Sequence, residues 1–191
     1  PLVPKSTDTV SVTARIRDEQ PASASTVTLF QRDHTSASPG AFVGVTMLDD
    51  GAHGDGLAGD GVFGAQLAPA SNGTVVEFYV QATDATSNAR TWPAPAMEPD
   101  GSLAQGANAL FQIDDEDITN PMPAFRVIMT GTERAVFPPG SRDSDAEANN
   151  TFISIDGDGT KVRYLCGVRV RGAGSRSQTP PNNRLNIPND N

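Results

Sequence analysis

Apolar residues recur at every second position through most of the first hundred or so residues of this chain. In "TVSVTARIRD", Val10, Val12, Ala14 and Ile16 fall on one side of an extended segment. "STVTLFQRD" does the same with Val27 and Leu29, and "AFVGVTML" follows with Val43, Val45 and Met47 or their alternates. "TVVEFYVQATD" places Val76, Phe78, Val80 and Ala82 on one face, and "ANALFQIDD" ends the series through Ala109 and Phe111. Successive side chains point to opposite faces of a strand, so this spacing buries one face of each segment. It leaves no useful run with the 3.6-residue period of a helix. With "GVFGAQLAP" as a further candidate, six short strands are predicted.

Composition agrees with that reading. The 191 residues include 18 Gly and 15 Pro, with only 6% aromatic side chains, which suits many turns between short strands. The chain is therefore predicted to be mainly β. Residues 1–115 read as an antiparallel immunoglobulin-like or fibronectin III-like β-sandwich. Within it, "RTWPAPAMEPDGSLAQG" reads as an ordered loop before the last strand, with Trp92 covering an end of the core. Residues 116–123, inside the acidic and proline-ended "DDEDITNPMP", read as a linker. Residues 124–191 are predicted as a smaller, partial α+β segment. There "AFRVIMT" is a strand, Thr132 caps a short helix that stops before Pro138 and Pro139, and "PPGSRDSDAEANN" is a polar loop. "TFISIDGDGTKVRYLCGVRVRG" reads as a hairpin turning at Asp156-Gly157-Asp158-Gly159. On its second strand Lys161, Arg163, Arg169 and Arg171 alternate with Val162, Tyr164, Val168 and Val170, which predicts a basic face.

The formal net charge is −9 and the pI about 4.5, a balance that repels phosphate backbones and anionic lipid surfaces. Nucleic acid is excluded as an expected partner. No stretch is long and apolar enough to span a bilayer as a helix. Cys166 is the single cysteine, so an internal disulfide and a thiolate metal cluster are both impossible; a small buried strand residue is expected there. His34 and His53 read as exposed turn residues. The opening "PLVPKSTDTV" carries neither an initiator Met nor a signal peptide, and the chain is expected to be a piece of a larger polypeptide.

The stretch "MLDDGAHGDGLAGDGVFGA" admits three uses. Asp49, Asp50, Asp55 and Asp60, with loop carbonyls, offer the several oxygens that a hard cation such as calcium needs. Their spacing departs from the EF-hand pattern. Asp-Gly pairs also build plain turns, because both residues favour left-handed backbone and Asp bonds to its own loop. An acid–base pair would require one carboxyl buried and neutral beside an ionised partner, which a wet glycine-rich loop does not favour.

From Met47 to Pro93 the sequence resembles a bacterial exported β-sandwich module found beside other domains in large surface or secreted proteins. The resemblance is carried by the Asp-Asp-Gly…Gly-Asp…Gly-Asp-Gly-aromatic loop and the following "VEFYVQATD". It implies an extracellular or cell-surface accessory domain without catalytic residues, engaged with protein partners or in self-assembly. Residues 124–191 resemble the opening of the CotH kinase-like family, through "FRVIMT", "NTFISIDG" and above all "CGVRVRGAGSRSQTPPNNRLNI". Arg171, Gly172, Ser175 and Arg176 match that family's turn, and Arg184 with Leu185 match the start of its later strand. The resemblance implies a phosphate-side site at Arg171, Gly172, Ser175, Arg176 and Arg184, with ATP and magnesium as cofactors only if a parent protein is an active kinase. The family's lysine positions fall on Asn182, Asn183 and Asn186, and its acidic residues lie beyond Asn191. The turn is not a Walker loop. Glycines there let backbone N–H groups converge, and the arginines suit either a bound anion or pairing with Asp and Glu elsewhere in an acidic chain. The expected function is a non-catalytic structural or interaction segment of a larger exported bacterial protein; the alternative is the phosphate side of a CotH-like kinase.

Overall fold

The computed structural model describes residues 2–17, 25–34, 39–118, 122–135, 145–172, 174–178 and 181–188. In chain order, β1 is Val10–Arg15, β2 Thr26–Asp33, β3 Val43–Met47, β4 Val62–Leu67 and β5 Val75–Thr83. They are followed by β6 (Ala89–Trp92), β7 (Ala96–Met97), β8 (Leu103–Ala104) and β9 (Ala109–Gln112). β1 and β4 pair antiparallel, with Val10 opposite Leu67 and Arg15 opposite Val62. The facing sheet runs β3-β2-β5-β6, and β9 lies beside β5 along Val75–Phe78. β6 continues that same flank along Val80–Thr83.

The alternation read from the sequence is what fills the space between these sheets. Val10, Phe63 and Leu67 of the small sheet meet Val27, Leu29, Met47, Phe78, Val80 and Phe111 of the large one. Each such side chain contributes about 1.5–3 kcal/mol by leaving water. The protein is mainly β, an antiparallel immunoglobulin-like sandwich as predicted. β3 places Val45 and Met47 toward this core and leaves Val43 exposed.

Two local expectations are corrected. Trp92 is not in a loop: it closes β6, paired with Val80, because "ARTW" completes the ladder on β5. The loop that follows contains a small hairpin of its own, β7 against β8. His34 is not an exposed turn residue either, since its ring packs against Glu77 with only 7% of the side chain exposed.

After the sandwich come β10 (Ala124–Ile128), α1 (Gly131–Arg134), β11 (Ala148–Asp156), β12 (Gly159–Val170) and β13 (Asn183–Asn186), with strand order β10-β11-β12-β13. Among the described residues of this part, helix is limited to the single turn α1 and a short 3-10 turn at Gly174–Ser177. The cap of α1 is Thr130 rather than Thr132. Its hydroxyl accepts from the Glu133 N–H, and the Glu133 carboxylate accepts from the Thr130 N–H at 3.0 Å. That reciprocal arrangement satisfies two amide groups at once, which Thr132 cannot do from inside the turn. Pro138, Pro139 and the rest of 136–144 lie outside the described residues, as do 119–121 of the predicted linker. The hairpin turn at Asp156–Gly159 forms as read.

The predicted basic face does not form. β11 pairs Phe152 with Arg163 but Asn150 with Cys166, so β12 carries one extra residue between them, and Leu165 sits there at φ 56°. An inserted residue exchanges the two faces of a strand. Lys161 and Arg163 therefore share a face with Cys166 and Val168, while Arg169 points to the other side. Cys166 is buried, as expected.

The second sheet lies on the outer face of the sandwich. Val75 and Leu110 pack with Ile128 and Ile153, flanked by Val3, Ile155 and Val162. The Leu110 N–H donates to the Thr151 hydroxyl at 3.1 Å, and the Asn149 side chain donates to the Asn108 carbonyl at 2.8 Å. Arg126 pairs with Asp114. Tyr164, just before the extra residue, reaches the sandwich core and meets Phe78 and Trp92 edge-on. β5 and β9 are thus covered on both faces.

Candidate functional site

The aspartate–glycine loop holds itself together through its carboxylates. Asp55, only 3% exposed, accepts the N–H groups of Asp50 and Gly51 at 2.9 Å and of His53 at 3.0 Å. Asp49 accepts from Gly59 at 2.7 Å, Asp60 at 3.2 Å and Gly61 at 2.9 Å. Asp60 takes the Val62 N–H, and Asp50 takes Ala52 N–H and the His53 ring. The Gly51 N–H, above all, holds the Asp55 carboxyl below its ordinary range against the opposing effect of desolvation. The His53 ring and then the Ala52 N–H do the same for Asp50. Gly64 admits the loop against β4: a Cβ there would lie 2.6 Å from the His53 carbonyl oxygen.

The four aspartates that the sequence singles out are therefore brought into one loop, with their oxygens turned to backbone N–H groups. Among the described residues no three His, Cys, Asp or Glu side chains are grouped as a metal site. Asp55→Ala is expected to lower the thermal midpoint, because three N–H groups lose their acceptor. Melting the parent chain with and without millimolar calcium is expected to give one midpoint. A rise of several degrees would assign a cation to Asp49, Asp50, Asp55 and Asp60.

The arginine turn is also internally occupied. Arg171 follows β12 and donates its backbone N–H to the Asn182 carbonyl at 2.7 Å. Gly172 takes φ 99°, and its carbonyl accepts from the Arg176 guanidinium, which also binds Asp145. Arg169 joins the same Asp145 oxygen at 2.8 Å. The Arg176 hydrogen bond, followed by the charges of Arg176 and Arg169, holds the Asp145 carboxyl below its ordinary range. Arg184, on β13, donates to Asn186 at 2.9 Å. The Ser175 side chain lies outside the described residues. Of the five residues assigned to phosphate, Gly172 and Arg176 meet, and an aspartate sits where Arg169 and Arg176 converge.

A buried polar cluster, not read from the sequence, lies where the second sheet meets the sandwich. Glu77, on the outer face of β5, accepts from Arg32 at 2.8 Å and from the Asn108 amide at 2.6 Å, and lies 2.7 Å from the His34 Nε2. Burial alone would raise its carboxyl pKa, but the hydrogen bonds of Arg32, Asn108 and His34 outweigh it and hold the group low. Glu133 is shifted the other way, chiefly by burial, despite the Thr130 N–H. Within the cluster the buried Asn108 Oδ1 is left without a hydrogen-bond partner among the described residues.

The sandwich is open along one side. β1 pairs only with β4, and β6 only with β5, so each presents a free edge among the described residues. Between those edges runs a groove of about 450 Å³, adjoining a second of about 280 Å³ that also touches Val12, Phe78 and Trp92. Its floor is Val12, Ala14, Ile16, Val80, Ala82 and Trp92. Core-facing positions that are sealed in β2 are half exposed here, and Trp92 keeps 48% of its surface in water. Arg15, Arg17 and Arg90 stand around the groove. The sequence reading overlooked this site. The one signal in the sequence was Arg90 two residues before Trp92, and only the pairing of Arg90 with Ala82 shows that both face inward.

Among the described residues no helix is long and apolar enough to cross a membrane. No curated protein matches the sequence. Residues 5–91, a little under half of the chain, match the family model of the conditioned medium factor second Ig-like domain, so the segment spanning β1 to most of β6 is similar to that immunoglobulin-like domain.

Proposed function

We propose that this chain is a non-catalytic structural and interaction segment of a larger exported protein, in which an immunoglobulin-like sandwich is braced by a second sheet. The observation that carries the reading is the contrast between the two sides of the sandwich. One outer face is sealed by Val75, Leu110, Ile128 and Ile153. The open seam keeps apolar side chains in reach of a partner. Immunoglobulin-like domains are built for this use, with a rigid core that presents edges and loops. The extracellular setting draws support from a matched family named for a factor of conditioned medium, and from the resemblance to exported surface modules.

Fractionating the source cells and detecting the chain with an antibody tests the setting. Sedimentation of the purified chain, with and without the isolated surface fraction, tests the role. The chain is expected outside the cytoplasm, and bound to a surface component or to its own copies. A cytoplasmic monomer that binds neither would overturn the proposal. Mg-ATP binding that disappears in Arg171→Ala/Arg176→Ala would put phosphate chemistry in its place.

A further inference from the structure

We infer that the open seam of the sandwich takes an extended acidic peptide segment of another protein as an added strand on β1. The inference rests on the interaction reading above and names the partner's chemistry. The Ile16 N–H bonds inward to the Gly61 carbonyl. Because donors and acceptors alternate sides along an antiparallel strand, Ser11, Thr13 and Arg15 turn their N–H and C=O groups outward. No described strand takes them up. A peptide laid along that edge gains main-chain hydrogen bonds, while every second side chain enters the groove over Ala14, Ile16, Ala82 and Trp92.

Charge selects the occupant. Arg32, Arg126, Arg169 and Arg176 all hold a carboxylate. Arg15, Arg17 and Arg90 make no such ion pair among the described residues, although the chain carries a net charge of −9. Arg90 is the telling case. It lies opposite Ala82 on the core-facing side of the ladder, yet remains exposed at the mouth of the groove. Asp84 lines the adjoining pocket with Arg17 and Arg90, but its oxygens accept from Thr86 and Asn88. A carboxylate entering the groove therefore meets an arginine that makes no ion pair among the described residues, and outward-facing acids on the same peptide meet Arg15 and Arg17. A second copy of β1 fits less well, since "VSVTAR" brings only another arginine and no acid.

The test uses the full chain and a short, end-blocked peptide that alternates Val and Glu. Titration calorimetry is expected to show binding that weakens in high salt. It should weaken by about tenfold or more in Arg15→Glu/Arg17→Glu and in Arg90→Glu, since rim charges govern such encounters. Lys161→Glu, on the second sheet, should bind as the parent does, and a Val–Lys peptide should not bind. Hydrogen exchange should show new protection at Ser11, Thr13 and Arg15. These arginines are exposed, so the variants should melt as the parent does.

Equal affinity for the Lys peptide, or protection elsewhere, would overturn the inference. So would arginine variants that self-associate without binding peptide, because the charges would then be guarding the edge against aggregation. If the chain keeps its surface partner or self-assembly in those variants, only the seam assignment fails and the interaction role stands. If the chain binds nothing at all, the role fails with it.

Discussion

Glu77→Ala is expected to cost about 3–5 kcal/mol of stability, the loss that follows when one partner of a buried ion pair is removed. Glu77 is 5% exposed and joins Arg32, His34 and Asn108 through its two oxygens. Removing the carboxylate leaves the Arg32 charge, the His34 ring and the Asn108 amide unmatched where the second sheet meets the sandwich. Asn108 is already short of one partner, since its buried Oδ1 has no hydrogen bond among the described residues. Glu77→Gln keeps the shape and should lose less. Urea unfolding of the three proteins checks this, and a loss below about 1 kcal/mol for the alanine variant would mean the cluster is screened like a surface pair.

The same group sets a pH dependence. The folded-state pKa of Glu77 lies below the ordinary 4.5, so its stabilising contribution is present above that value and is lost as pH falls through the folded pKa. Glu133 acts in the opposite sense: its raised pKa makes its contribution complete below 4.5 and lost as pH rises through the folded value. Unfolding midpoints should therefore hold or rise slightly as pH approaches 4.5 from above, then fall. In Glu77→Gln the fall should be shallower.

Leu110→Ala is expected to cost about 2–5 kcal/mol and to weaken both parts of the molecule together. Leu110 is fully buried, but not in the sandwich core that its neighbours Ala109 and Phe111 fill. It faces the second sheet, against Ile128 and Ile153. A cavity there removes the layer on which the two parts meet, and the Leu110 N–H to Thr151 bond lies beside it. Unfolding followed by far-ultraviolet circular dichroism and by Trp92 fluorescence should give coincident transitions, shifted by the same amount. Trp92 is a suitable reporter because its ring touches Tyr164 of the second sheet edge-on, at 5.8 Å between centroids. A shift within about 0.5 kcal/mol would show that the sheets are stabilised independently.

Much of the sandwich was legible in the residues. Val10 to Ile16, Val27 with Leu29, and Val76 to Ala82 alternate, and each segment became a strand with those side chains toward the core. The hairpin from Thr151 to Val170 was equally plain, because Asp-Gly pairs mark a turn locally. The site was far less legible. Four aspartates in one loop suggested a ligand, but whether their oxygens face a cation or the loop's own N–H groups depends on how the backbone closes. The cluster around Glu77 joins residues from 32 to 108, and no local pattern announces it.

What the sequence by itself determined is which side chains the strands of the sandwich turn toward its core, since a period of two is a property of neighbouring residues and needs no partner. Tertiary structure alone decided which strands stand side by side. That choice covers Leu110 and Glu77 on the far face of the sandwich, moves Arg169 to the opposite face from Arg163 through one extra residue, and leaves β1 and β6 each with one edge unpaired among the described residues. The physical reason is range: alternation is written between adjacent residues, whereas pairing is settled by apolar surfaces and hydrogen-bond partners that meet only once the chain has folded.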